Sequence, residues 1–235
     1  MQVDSGKYNK DQKLYHKLIT EIYDKYPEGV HLTPEYAQFV QEDGLRFLIR
    51  LARYKFAARQ LKKTDRVLEV GSGSGLGSIF MGQHCREIIG LDVKTTEVAE
   101  ASNINKRDNV RFICEDLFNY DPQEKFDIIV NLDVIEHMSV LAGRNFIHAM
   151  SNLLKPTGML ILGSPSIYSY QHQSPLSQAS HIHCYDLPEL VEQVEKDFGR
   201  TLTFSMNDEI VHTGHHKMAW YYYVLGFYPG KTDAK

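Results

Sequence analysis

A run of alternating glycines follows a short apolar segment in the first third of the chain. Residues 66–70 have the composition of a buried strand, and the glycines begin directly after it. The four positions are Gly71, Gly73, Gly75 and Gly77. Glycine accepts positive φ angles and lets the backbone approach a ligand closely. A helix that begins near Leu76 would point free amides at such a ligand. The pattern predicts a strand, a tight turn and a helix that together hold a nucleotide-like molecule.

The spacing of these glycines excludes two common phosphate-binding turns. A dinucleotide-binding turn needs G-x-G-x-x-G/A. Its third position falls on Leu76 when counted from Gly71, and on Ser78 when counted from Gly73. A P-loop needs Gly-Lys-Ser/Thr, which does not follow. What remains is an acid, Glu69, two residues before a G-x-G-x-G turn.

The bulk properties limit the partners. The length of 235 residues suits one α/β domain with an extra segment, and a formal net charge of −4 argues against nucleic acid as a partner. The polar N-terminus, Met1–Lys10, lacks the apolar core of a signal peptide, and no apolar run is long enough for a membrane helix. The three cysteines form no framework. We therefore expect a cytoplasmic protein with reduced thiols and no membrane or nucleic-acid partner; its oligomeric state is left open.

A helical N-terminal part precedes a region of alternating strands and helices. Apolar residues four apart predict a helix over 9–26. Thr33 with Pro34 predicts a second helical stretch that runs to about Leu61, with Gly44 as the point where it can break. The four apolar residues are Leu14, Leu18, Ile22 and Tyr26. Beyond Asp65, strands are predicted at 66–70, 88–92, 110–114, 126–132 and 159–163, with helices at 76–84, 95–104 and 139–154. This alternation is typical of a parallel, doubly wound sheet.

The C-terminal part predicts a different connection. A helix over 186–198 starts at Asp186 as N-cap, with Glu189 three residues later in capping-box spacing. The β-rich segments 201–206 and 217–227 are separated by about ten polar residues, so we expect them to pair antiparallel. The predicted fold is thus α/β, with a doubly wound, seven-stranded, mostly parallel sheet, a C-terminal antiparallel hairpin and an N-terminal helical lid. Residues 1–62 would form the lid and residues 63–235 the ligand-binding domain.

Two acids end predicted strands beside the glycine turn. Asp92 ends the second strand, where a carboxylate can accept from the two hydroxyls of a ribose. The alternative is that Asp92 caps the next helix, a role for which Thr95 competes. Asp116 ends the third strand and can accept from an exocyclic amine, although it or its neighbour Glu115 can also be simply solvated.

The fourth strand ends in the segment 131–137, which should border the same crevice. His137 is the one histidine that this interpretation puts at such a strand tip. An unperturbed imidazole titrates at about pH 6.5 and is suited to proton removal near neutrality. The alternative is that His137 only packs against, or caps, the helix that follows.

Taken together, these motifs resemble those of the class I S-adenosylmethionine-dependent methyltransferases. The resemblance covers about residues 64–165. It rests on Glu69-x-Gly-x-Gly-x-Gly75, on Asp92 and Asp116 at strand ends, and on Asp133-Val-Ile-Glu-His137. It implies S-adenosylmethionine as the cofactor, S-adenosylhomocysteine as the product, and a seven-stranded sheet that ends in an antiparallel hairpin.

The resemblance also implies cofactor contacts by position. They are Glu69, Gly71, Ser72, Gly73 and Gly75 for the methionine part, Asp92 with Val93 for the ribose, Asp116 and Leu117 for the adenine, and Asn131 and Leu132 for the sulfonium end. An arginine ahead of the first strand often meets the methionine carboxylate in similar enzymes. Arg53 is the candidate here, with Arg50 close behind, and an exposed helix-surface position is equally compatible with either.

The acceptor is expected outside the cofactor core, against the loop that follows the fifth strand. This loop is rich in hydroxyls, phenols and imidazoles, which suits a small polar acceptor such as a sugar, a sugar nucleotide or a phospho-amine. The candidate residues are Tyr168, Tyr170, His181 and His183, with His137 as the base or orienting residue. Alternatives are a protein, RNA or quinone-precursor methyltransferase, and a regulator that binds the cofactor without transferring methyl.

The remaining histidines and aromatic residues are not predicted to bind a metal ion or nucleic-acid bases. His181-x-His183-Cys184 lacks a fourth metal ligand at any usual spacing, and the set His212, His215 and His216 is similar, so no metal site is predicted. The aspartate and asparagine set of magnesium-dependent catechol-type enzymes is not evident. Residues 220–223 (Trp-Tyr-Tyr-Tyr) are expected to place alternate side chains in the core rather than to stack on bases.

Overall fold

The computed structural model describes the backbone of residues 5–230 and the side chains of residues 12–230. The prediction that the polar segment Met1–Lys10 is not a signal peptide depends on side chains that lie outside the described residues. The helices are α1 Ser5–Lys25, α2 Pro34–Glu42, α3 Gly44–Gln60, α4 Leu76–Met81, α5 Thr95–Ile104, α6 Val140–Leu153, α7 Pro175–Ser180 and α8 Leu187–Glu195. The strands are β1 Arg66–Val70, β2 Glu87–Asp92, β3 Val110–Cys114, β4 Phe126–Leu132, β5 Leu154–Pro165, β6 Phe198–Asn207, β7 Ile210–His212 and β8 Tyr221–Pro229. Short 3₁₀ turns span Ile135–His137, Ile167–His172 and His216–Met218.

The predicted N-terminal helices are present, and the break near Gly44 has a physical cause. Helix α2 starts at Pro34 with Thr33 as its N-cap residue. The side chain of Asp43 accepts a hydrogen bond from Arg46 N at 3.2 Å, which caps α3 and separates it from α2. The apolar stripe of Leu14, Leu18 and Ile22 in α1, with Tyr26 just after its end, is exposed rather than buried. No helix in the described part of the chain is long and apolar enough to cross a membrane.

The sheet has eight strands in the order β3-β2-β1-β4-β5-β8-β6-β7, so the predicted number of seven is wrong. Strands β1 to β5 pair in parallel, and β8 pairs antiparallel with both β5 and β6, as the C-terminal pattern indicated. The extra strand β7 has three residues and pairs antiparallel with β6, in a stretch too short and polar to carry a strand pattern.

Two details of the C-terminal part also differ from the prediction. The segment expected as a strand from 217 begins only at Tyr221, because residues 216–218 form a 3₁₀ turn. Asp186 does cap α8, since its carboxylate accepts from Leu187 N at 2.8 Å. Glu189 does not complete a capping box, because its carboxylate pairs with His183 at 2.8 Å.

Apolar residues cover both faces of the sheet. One core lies under α6 and α8 and includes Ile129 and Tyr222, whereas the other lies under α3 and α4 and includes Val130 and Tyr223. Tyr221, Tyr222 and Tyr223 are all buried because neighbouring residues of β8 point to opposite, covered faces. The double cover leaves the carboxyl ends of the parallel strands as the edge where polar groups collect.

Candidate active site

The glycine turn closes between the carboxyl ends of β1 and β2. Gly71, Gly73 and Gly75 have φ angles of 76°, 50° and 80°, as the motif predicts. Gly71 N donates to Leu91 O at 2.8 Å, which binds the turn to β2. A Cβ atom on Gly71 would overlap Val134, whereas one on Gly73 would meet only Glu97 Oε2 at 4.0 Å. The turn is therefore packed against the tip of β4 at Gly71 and open at Gly73.

Asp92 holds the turn as well as bordering the open side. Its Oδ2 accepts from Gly73 N at 2.8 Å, and its Oδ1 accepts from Lys94 N at 2.9 Å. Lys94, rather than Thr95, is the residue at the N-cap position of α5. Each carboxylate oxygen makes one hydrogen bond and keeps a lone pair for a further donor. Val93 beside it is exposed.

Asp116 and Leu117 follow β3 at the same edge. The carboxylate of Asp116 is exposed and accepts from Phe118 N at 2.9 Å, a local turn that fixes its direction. Leu117 is buried in the core under α6 and α8. Asp116 thus offers an exposed acceptor, whereas the side chain of Leu117 packs in the core.

Glu69 is a buried acid beneath the turn. Its carboxylate accepts a hydrogen bond from the hydroxyl of Ser78, and a Cβ atom on Gly77 would meet both Tyr54 and Glu69. Burial raises the pKa of Glu69 to about 8, with a smaller contribution from the negative charge of Asp92. An unliganded Glu69 therefore keeps its proton at neutral pH.

Asn131 connects the ends of β4 and β1. Its Nδ2 donates to Val70 O at 2.9 Å, and its buried Oδ1 has no hydrogen-bond partner. The Oγ atom of Ser72 is buried and unpartnered in the same way. Leu132 is buried in the core under α3 and α4.

The two arginines named from the sequence are both engaged in ion pairs. Arg53 Nη1 lies 2.5 Å from Asp133 Oδ1, and its guanidinium carbon lies 4.1 Å from the ring centre of Tyr221. Arg50 Nη1 lies 2.5 Å from Glu35 Oε1. Asp133 has a φ of 59°, a left-handed conformation that costs energy in a residue other than glycine. Arg53 therefore contributes to the site by holding this strained aspartate.

We expect Arg53→Ala to lower the free energy of unfolding by roughly 2–4 kcal/mol, because it leaves Asp133 partly buried without its partner. Urea denaturation measures this loss. The double variant Arg53→Ala/Asp133→Asn should lose less than the two single changes added together. Arg46→Ala, which breaks the exposed pair with Asp43, is the control and should cost less than about 1 kcal/mol. Strictly additive losses would mean that Arg53 and Asp133 are not coupled.

Glu136, His137 and His181 meet beside this ion pair. A ligand atom from each of the three lies within 4.8 Å of those of the other two. His137 is exposed and its Nδ1 lies 2.9 Å from Ser180 O, so in the neutral imidazole Nδ1 carries the proton and Nε2 carries the lone pair. Burial, followed by the charge of Asp133, raises the pKa of Glu136 to about 8. Burial and the neighbouring His137 lower the pKa of His181.

The other loop residues named from the sequence have partners within their own segment. The hydroxyl of Tyr168 donates to Asp186 at 3.3 Å, that of Tyr170 donates to Gln178 O at 3.3 Å, and His183 pairs with Glu189. Of this set, only His181 reaches His137. The sequence reasoning missed Glu136 as a site residue, although its place directly before His137 after β4 was a usable signal.

Comparisons with known proteins show which proteins the chain is similar to. Residues 67–158 match the family model described as a methyltransferase domain. The chain is similar to ubiquinone biosynthesis O-methyltransferases of Rhodopseudomonas palustris. One is 29% identical over 101 residues, which is 42% of this chain and 39% of that enzyme. Another is 28% identical over 157 residues, which is 64% of this chain and 59% of that enzyme. The chain thus spans about half the length of the curated relatives that it matches.

Solved structures show the same fold at low identity. The N-methyltransferase NodS from Bradyrhizobium japonicum, in complex with S-adenosylhomocysteine, has a TM-score of 0.58 and 16% identity, over 77% of this chain and 88% of that one. An S-adenosylmethionine-dependent methyltransferase from Clostridium acetobutylicum has a TM-score of 0.60 and 15% identity, over 92% of this chain and 99% of that one. The mostly parallel sheet with antiparallel strands at one end is therefore a methyltransferase fold.

Proposed function

Because the chain carries a class I S-adenosylmethionine-dependent methyltransferase domain, we propose that it transfers a methyl group to an oxygen or nitrogen of a small polar acceptor. The observation that carries this proposal is the open side of the glycine turn at Gly73, bordered by Asp92. Glu69, the acid before the glycines, and the tip of β4 lie against the same turn. Different residues around the turn can therefore contact the methionine part, the ribose and the sulfonium of the cofactor.

The chemistry of the donor set fits S-adenosylmethionine. The buried Ser72 Oγ and Asn131 Oδ1 have no hydrogen-bond partners, and buried polar atoms normally find one. Asp92 retains lone pairs for the ribose hydroxyls, and Asp116 with Leu117 suits the adenine. Glu69 and the amides around Gly71 and Gly73 would face the methionine part. The backbone of Asn131 and Leu132 would border the sulfonium.

The reaction needs alignment more than acid–base power. When bound, the cofactor supplies a methyl group already activated by a positively charged sulfur. The acceptor's lone pair would take up this methyl group, and the cofactor's sulfur would keep the electron pair of the broken methyl–sulfur bond. His137 would orient the acceptor or take up its proton at Nε2, and the contact of Nδ1 with Ser180 O supports this role because it leaves Nε2 free. Alignment alone supplies roughly 7–11 kcal/mol of barrier reduction in favourable cases.

The composition of the loop after β5 supports a polar acceptor. This segment carries the phenols of Tyr168 and Tyr170 and the imidazoles of His181 and His183. We propose that α1 to α3, in residues 1–62, close over it, since α3 already brings Arg53 to the site. The relatives named as ubiquinone biosynthesis enzymes make a phenolic quinone precursor the second candidate acceptor.

A labelled-cofactor assay tests the function. The chain would be incubated with methyl-labelled S-adenosylmethionine and fractions of a metabolite extract, and labelled products would be identified by mass spectrometry. Label in a sugar, nucleotide or phospho-amine fraction is the expected result. Label in a phenolic lipid fraction would move the acceptor to the quinone-precursor class. Calorimetry that detects no cofactor binding would overturn the whole proposal.

We expect Asp92→Ala to weaken cofactor binding by roughly 30–100-fold, because it removes a charged acceptor for the ribose and releases Gly73 N. Isothermal titration calorimetry measures the change in Kd. Asp108→Ala is the matched control, since Asp108 is an exposed acid that precedes β3 and so lies at the opposite edge of the sheet. An unchanged Kd in Asp92→Ala would contradict the ribose role.

A further inference from the structure

We propose that Glu136, His137 and His181 form a binding site for one divalent transition-metal cation. The site has one carboxylate and two imidazoles, with one ligand atom from each within 4.8 Å of those of the others. It lies where the acceptor is expected, so the part of the proposal that concerns acceptor binding rests on the proposed function. The binding of the cation itself does not.

Glu136 supplies an independent observation that points to a ligand. The residue is 1% exposed, and its Oε1 atom has no hydrogen-bond partner. Its other oxygen, Oε2, accepts one long hydrogen bond, from Ser164 Oγ at 3.4 Å. Arg53, the nearby cation, gives its short contact to Asp133 instead. A buried carboxylate oxygen without a partner is costly, and a coordinated cation would remove that cost.

The three ligands are held in place by the backbone. Glu136 and His137 share the 3₁₀ turn that follows β4, and the main-chain oxygen of Glu136 accepts from Ile182 N at 2.8 Å and His183 N at 3.0 Å. These bonds fix the segment that carries His181 next to the turn. The contact of His137 Nδ1 with Ser180 O is the kind of outer contact that orients a metal-binding imidazole and leaves Nε2 free.

The ligand set selects the kind of cation. Imidazole suits zinc, copper, iron and nickel, whereas magnesium and manganese prefer oxygen ligands. Ligands bound at about 2.1 Å in a tetrahedron lie roughly 3.4 Å apart, so small side-chain rotations would close the present spacing. Three protein ligands leave a coordination position open for an acceptor hydroxyl. The cation would lower the pKa of that hydroxyl and orient it, and its proton would pass to water. His137 would then orient the acceptor through the cation.

Cobalt(II) binding is the test, because its visible absorption reports the ligands directly. The chain, stripped of metal with a chelator, would be titrated with Co²⁺ in the absence of S-adenosylmethionine. We expect one Co²⁺ per chain. Separate His137→Ala, His181→Ala and Glu136→Gln variants should each lose at least the roughly 10–100-fold in affinity that the loss of an outer-shell contact costs. His183→Ala is the matched control and should bind Co²⁺ as the unmodified chain does, because His183 pairs with Glu189.

Two outcomes would overturn the metal site. One is the absence of Co²⁺ binding, and the other is binding that persists unchanged in the three ligand variants. Since Glu136 is buried, circular dichroism would check the fold of Glu136→Gln, and the half-buried His181 provides a second ligand variant if that fold is lost. Cofactor binding would be measured separately by calorimetry. Co²⁺ binding that depends on the three ligands, without cofactor binding, would contradict only the proposed function. Cofactor binding without Co²⁺ binding would contradict only the metal site.

Discussion

Gly75→Ala is expected to destabilise the chain by roughly 2–5 kcal/mol. Gly75 has a φ of 80°, a left-handed conformation that costs an alanine about 1–2 kcal/mol. An added Cβ atom would also lie 2.5 Å from Ala101 Cβ and from Phe112 Cζ, and forcing such a group into a filled space costs about 1–3 kcal/mol. Both neighbours belong to elements packed on the sheet, so neither can withdraw freely. Urea or thermal denaturation without cofactor measures the loss.

Gly73→Ala separates the two causes. Gly73 also has a positive φ, 50°, but its Cβ position is open, with Glu97 Oε2 at 4.0 Å as the nearest atom. Only the conformational cost applies, so we expect a loss of about 1–2 kcal/mol. If the two alanine variants unfold at the same denaturant concentration, packing under Gly75 contributes nothing measurable and the argument from overlap is wrong.

Glu69→Gln is expected to flatten the dependence of stability on pH. In the folded chain Glu69 holds its proton up to about pH 8, whereas an unfolded chain releases it near the ordinary value of 4.5. Between these two values the folded state binds more protons than the unfolded state, so stability falls as pH rises. The full contribution is present below the lower value. Its loss by pH 8 is on the order of 4 kcal/mol.

Denaturation curves at several pH values between about 5 and 8 test this sign and size. The unmodified chain should lose more stability over this range than Glu69→Gln, in which the neutral amide can still bond to Ser78. Glu209→Gln, at an exposed position after β6, is the control and should follow the unmodified chain. Parallel curves for the chain and Glu69→Gln would show that Glu69 ionises normally in the folded state.

Most of the fold could be predicted because its signals are local. Strand β1 follows directly from its apolar composition and the glycines after it, and the start of α8 follows from Asp186. Strand β7 could not be predicted, since three residues in a polar stretch have no periodicity of their own. Its formation depends on pairing with β6, which is a tertiary effect.

The candidate site divides along the same line. The glycine turn and Asp92 were identified from spacing because each follows a strand in sequence. The pairing of Arg53 with Asp133 could not be predicted, because nothing in the residues around Asp133 indicates that Asp133 has a positive φ. No sequence pattern distinguishes His181 from His183. Backbone bonds from the distant Glu136 decide that only His181 reaches His137.

The bonds between Glu136 and the segment around His181 have a consequence for the order of folding. His137 and Ser180 are 43 residues apart, with α6 and β5 between them. Closing a loop of this length costs entropy that is recovered only after the intervening elements have packed. The glycine turn, by contrast, is held by Leu91 and Asp92, and Asp92 is only 19 residues from Gly73, so its loop costs less entropy to close and can form earlier. During synthesis the glycine turn can therefore form before the contacts of His137 and Glu136 with the segment around His181. Those contacts form only when the chain has grown past that segment.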